Sequence, residues 1–148
     1  MILSETYANN YLSFLLGKTK TLTAPTTVYI GLCTNNPEIA DGDFAIGDFN
    51  EIVGDTYERV VLVINGESYP NLIGAAADKK IVNIAQINWT KTLEGYPDAK
   101  GFGLFSMKTD GTPFAMGKLA NTLTTPAGAV ALFEAGGLEF FIGNAVAE

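Results

Sequence analysis

Thr26-Thr27-Val28-Tyr29-Ile30-Gly31-Leu32-Cys33 is the stretch that decides the fold class. Val28, Ile30 and Leu32 fall on one side of an extended chain, and Tyr29, Gly31 and Cys33 on the other. A period of two, rich in β-branched and aromatic residues, marks a strand. The same pattern recurs downstream. Residues 57–64 are β-branched and nearly continuous, which suits a central strand. In residues 81–89, Ile81, Asn83, Ala85, Ile87 and Trp89 share one face. Residues 101–107 and 113–120 flank Thr109-Asp110-Gly111, a hairpin signal. Residues 129–134 and 138–142 flank Gly136-Gly137 and read as a terminal hairpin.

Upstream the period changes. Leu3, Tyr7, Tyr11 and Leu15 recur every fourth residue, and Leu12 and Leu16 widen the stripe. Ser4 is a candidate N-cap, and Glu5 falls in the first turn, where the helix dipole favours a negative charge. Gly17 follows as a left-handed cap, with Lys18 and Lys20 at the carbonyl end. The default expectation is that this stripe packs on the chain's own sheets. The alternative is docking into a neighbouring subunit, because Tyr7, Tyr11 and Phe14 are residue types that anchor interfaces.

The expected fold is therefore mainly β: an antiparallel β-sandwich, the jelly roll being one form of it, preceded by one N-terminal α-helix. Its 148 residues fit one domain, with the helix in 1–17 and the sandwich in 26–142. A long acidic loop, 35–56, interrupts the strands, and its length suggests a functional or interface-forming segment.

Composition narrows the function. The net charge of −7 disfavours nucleic acid and anionic membranes, and it favours solubility and a basic or metal-bridged partner. There is no histidine, which removes a Ser-His-Asp triad, a His-zinc site and an imidazole switch. One cysteine, Cys33, allows no disulfide within the chain. No apolar run approaches the ~20 residues of a membrane helix. Glu5 and the lack of a basic start speak against a signal peptide, so synthesis in a cytoplasm is expected.

Several features invite chemistry. Glu38, Asp41, Asp43, Asp48, Glu51, Asp55 and Glu58 follow one another with no Lys or Arg between them. Carboxylates and loop carbonyls suit calcium, but the spacing lacks the EF-hand pattern. A solvated loop or a charged interface is the better expectation, with Asp41, Asp43 and Asp48 as interface candidates. No carboxylate pair is marked out for glycan hydrolysis. Gly101-Phe102-Gly103 lacks the third glycine and the strand-to-helix switch of a phosphate loop, and reads as close strand packing. Trp89, Tyr96, Phe102 and Phe105 could form a sugar-stacking platform, but aromatic residues on strands are far more often core, and core is the expectation. Cys33 sits on an apolar strand and reads as an inert small hydrophobe. No catalytic, cofactor-binding or metal-binding residue is assigned.

The order of segments carries a resemblance. Leu15-Leu16-Gly17-Lys18 leads to Pro25-Thr26-Thr27-Val28-Tyr29-Ile30-Gly31-Leu32, and an acidic stretch then leads to Gly54-Asp55-Thr56-Tyr57-Glu58-Arg59. Further on come Gly101-Phe102-Gly103-Leu104-Phe105, Leu123-Thr124-Thr125-Pro126 and Ala135-Gly136-Gly137-Leu138. This resembles the small bacteriophage virion proteins often labelled tail fibre proteins. The resemblance implies a non-enzymatic virion structural protein, a tail fibre, tail or capsid accessory component. Its implied partners are other copies of itself and other virion proteins. A lectin-like module for a bacterial surface glycan is the alternative function.

Overall fold

The computed structural model describes residues 2–3, 5–19, 21, 27–35, 49–54, 56–63, 80–83, 86–111 and 113–141. The opening alternation is strand β2, Thr27–Cys33. It lies between β3, Val60–Val63, and β6, Tyr96–Phe105, with Gly31 opposite Gly103. β6 runs on into β7, Ala115–Thr125, through a loop in which Asp110 and Gly111 both take the left-handed conformation. The hairpin signal therefore marks the reversal. A two-residue strand β1, Ile2–Leu3, pairs with β7 and completes a five-stranded antiparallel sheet in the order β1-β7-β6-β2-β3.

Two shorter pairings complete the β architecture. β4, Lys80–Val82, pairs with β9, Glu139–Phe141, and β5, Ile87–Asn88, pairs with β8, Leu132–Phe133. The expected terminal hairpin is thus not formed, because β8 and β9 pair with earlier strands and not with each other. Asn83 supplies the physical reason. It is fully buried, its Nδ2 donates to the Glu134 carbonyl at 2.8 Å, and its Oδ1 accepts from the Leu138 N–H at 2.7 Å. The turn at 134–138 wraps this amide and hands the chain from one pairing to the next.

Alternation decides where the core lies. Val28, Ile30 and Leu32 of β2 join Phe102 and Leu104 of β6, and on the opposite side meet Ile87, Trp89, Ala131 and Leu138. The apolar cluster therefore sits between the five-stranded sheet and the two smaller pairings, a sandwich in which each side hides its inward residues. Gly117, opposite Phe102 in the register, leaves room for that ring.

The helix α1 spans Glu5–Leu15, and Leu3 belongs to β1 instead of the helical stripe. It ends as its sequence requires. Gly17, at φ 70°, donates to the Phe14 carbonyl at 3.0 Å, and Lys18 N–H donates to the Ser13 carbonyl at 2.8 Å. These are the paired bonds of a Schellman cap. The N-cap candidate Ser4 lies outside the described residues.

Candidate functional site

The sheet face away from the core is sealed by the end of the acidic stretch. Residues 49–52 run beside β2: Thr34 N–H donates to the Asn50 carbonyl and Ile52 N–H to the Leu32 carbonyl, each at 3.0 Å. An isolated bridge joins Cys33 to Glu51. The expected loop is here an extra strand-like edge, and Ile52 is buried in the core. The edge forms because β3 pairs only with 27–30 of β2 and leaves 32–34 open for a further partner.

This edge brings Glu51 to Arg59. The guanidinium is buried and meets the carboxylate through both oxygens, Nε to Oε1 at 2.8 Å and Nη2 to Oε2 at 2.6 Å. Its remaining Nη1 donates to the carbonyls of Met107 at 3.0 Å and Asp110 at 2.6 Å. The plane lies over the Phe105 ring, 3.4 Å from the centroid. A planar five-donor fork satisfies all of these partners at once, which a lysine cannot do. Tyr57 adds to the cluster: its hydroxyl accepts from the Leu32 N–H at 2.6 Å and donates to Glu51 at 3.3 Å.

Gly31 makes the cluster possible. A Cβ there would lie 2.7 Å from Glu51 Oε1 and 3.2 Å from the Tyr57 hydroxyl. Gly103 does the same for Phe49, whose ring meets Phe105 edge-on at 5.2 Å. The bare backbone of the paired glycines is the floor on which the clip rests.

Electrostatically the cluster is closed. Burial pushes the Tyr57 phenol above its usual range, with the Glu51 charge acting in the same direction. Burial pushes the Cys33 thiol up to about 12, with Glu51 adding to the shift. Both groups therefore stay protonated at neutral pH, and Cys33 behaves as the inert hydrophobe expected of it. A shallow, open depression of about 430 Å³ lies beside the clip, with Val53, Glu58, Lys108 and Asp110 on its rim. Arg59 is taken by Glu51 there, and Lys108 pairs with Glu58 at 2.8 Å.

The acidic stretch is thus not wholly free of cations, because Glu51 and Glu58 each find one. Asp41, Asp43 and Asp48 lie outside the described residues. Among the described residues no group of three His, Cys, Asp or Glu is placed to hold a metal ion, and no helix is long and apolar enough to cross a membrane. The aromatic candidates separate cleanly: Trp89, Tyr96, Phe102 and Phe105 are all buried. A sugar platform built on them is therefore not available, and they are core.

The helix candidates divide. Tyr7 is half-buried, with its ring 4.8 Å from that of Phe114. Tyr11 and Phe14 are exposed, together with Leu12, Leu15 and Leu16. Most of the helical stripe therefore does not pack on the chain's own sheets, contrary to the default expectation. The Glu51–Arg59 clip went unread in the sequence. Its only signals were Tyr57 and Arg59 two residues apart and the bare Gly31 in an otherwise filled strand.

A family model described as "Podophage GP4 fiber I protein gp80" matches residues 2–140. No curated protein matches the chain.

Proposed function

The chain belongs to the podophage GP4 fiber I protein gp80 family, and from that premise we propose that it is a structural subunit of a bacteriophage tail fibre. It acts by assembly and not by catalysis. The observation that carries this reading is the extent of the family match, which takes in the helix, the five-stranded sheet and all of the two smaller pairings but Phe141. The closed clip supports it as well. Tyr57 and Cys33 are held protonated, and Glu51 and Arg59 neutralise each other, so these residues stiffen the subunit and leave little to act on a substrate.

In this reading the chain folds as one domain and meets its neighbours in the particle, copies of itself and other virion proteins, through two surfaces. One is the outward face of α1 with Tyr11 and Phe14. The other is the acidic stretch with Asp41, Asp43 and Asp48, suited to a basic neighbour. The chain is made in the host bacterium and ends in the particle, on the tail in preference to the capsid surface. Purified particles test this. Quantitative mass spectrometry should find the chain in multiple copies per particle, and an electron-microscopy map should place its sandwich in the tail. Particles that lack the chain, or carry it on the capsid lattice, refute the proposal.

A further inference from the structure

We infer that α1 is a self-association surface, and that its occupant is α1 of a second copy of this chain. Five large apolar side chains stand exposed on the eleven-residue helix and the residue that follows it: Tyr11 at 42%, Leu12 at 53%, Phe14 at 39%, Leu15 at 59% and, just past the helix, Leu16 at 74%. At ~200 Å² for each fully exposed large side chain they present roughly 500 Å². A patch of that size is near the upper end of what a soluble monomer leaves uncovered. Two such patches face to face cover at most about 1,000 Å², the lower limit of a specific interface.

Charge selects the partner. The chain carries −7 overall, so two copies repel each other over most of their surfaces. The helix is the exception, because no charged residue occurs from Thr6 to Gly17. This face offers nothing to a basic partner, which the acids elsewhere would attract, and it is where two copies approach with least repulsion. Its shape is self-complementary too. Tyr11 and Leu15 form one fourth-residue row, and Leu12 and Leu16 the next. Rows of this kind interdigitate with the same rows of an identical helix across a two-fold axis. Tyr7, held against Phe114, ties the first turns of the helix to its own subunit.

The inference deepens the assembly reading and rests on it for its place in the particle. The full-length chain is the material for the test. Light scattering and sedimentation equilibrium should give a mass of two or more subunits that falls on dilution. Leu12→Glu with Leu16→Glu should weaken association at least about tenfold. At dilutions where both chains are monomeric its melting temperature should match the parent's, because both leucines are exposed in the single chain. Under mild oxidation Leu12→Cys should form an intermolecular disulfide, and Val53→Cys, exposed at the depression beside the Arg59 clip, should not. A wild-type chain that is monomeric at every concentration overturns the inference, and so does an oligomer whose mass the double substitution leaves unchanged. A monomer still found in tails refutes only the self-association surface, whereas a dimer absent from particles refutes only the fibre assignment.

Discussion

Replacing Arg59 by alanine tests whether the clip across the outer sheet face holds the subunit together. The substitution removes two bonds to Glu51, two to the carbonyls of Met107 and Asp110, and the stacking on Phe105. Four charge-assisted bonds at about 1.5–3 kcal/mol each would overstate the loss, because one guanidinium makes them all. A better measure is the cost of leaving one member of a buried pair alone, about 3–5 kcal/mol. Glu51 is 25% exposed and regains some water, which favours the low end. Losing the ring contact adds about 0.5–1 kcal/mol. The expected loss is about 3–4 kcal/mol, a large share of the roughly 5–15 kcal/mol that holds a domain folded. In a chain of this length that lowers the melting temperature by about 10 °C. Urea unfolding followed through the fluorescence of Trp89, the chain's one tryptophan and a buried one, measures it directly. Arg59→Lys keeps the charge without the fork and should recover only part of the loss. Arg59→Met with Glu51→Leu removes both charges and should cost less than Arg59→Ala alone. A loss under about 1 kcal/mol for Arg59→Ala would show that the clip is not structural.

Three further substitutions probe the same architecture. Asn83→Ala leaves the Leu138 N–H and the Glu134 carbonyl without their buried partner and should cost about 2–3 kcal/mol in a thermal melt; a cost near zero would mean the 134–138 turn holds without it. Gly31→Ala forces a methyl against Glu51, Tyr57 and Phe105, so it should destabilise by about 1–3 kcal/mol, and an unchanged melt would contradict the close approach. Cys33 should resist thiol reagents in the folded chain at pH about 8 and react once urea is added; equal rates in both would place it at the surface. Its raised pKa also sets a pH slope. The unfolded thiol ionises from 9.0 and the folded one only at about 12, so stability is full below 9.0 and is lost as pH climbs toward 12. Tyr57, displaced in the same direction, adds to the slope, and Cys33→Ala should flatten it. A urea midpoint that stays constant for the wild type from pH about 8 to about 11 would refute this linkage.

Much of the fold was legible because strands and helices advertise themselves locally. The period of two from Val28 to Leu32 matches the core-facing side of β2, and Thr109-Asp110-Gly111 sits where the chain reverses. Gly17 caps α1 as its position implied. The strand expected over 81–89 is broken into β4 and β5, and β3, expected as a central strand, ends the sheet order. The other misreadings concern partners. Gly136-Gly137 joins strands that pair elsewhere, because a turn signal states that the chain bends and not what it bends toward. The helix began two residues after Leu3, because the edge of β7 captured Ile2 and Leu3 first.

What the sequence settled alone is the kind of element along β2, β6, β7 and most of α1, and the chemistry withheld by the missing histidines, since periodicity and residue type are properties of neighbours along the chain. Only the tertiary structure decided that Glu51 belongs to Arg59, that the aromatic residues are core, and that the helical stripe faces outward. Each of these depends on what the folded chain sets opposite a side chain, and residues far apart in sequence decide that.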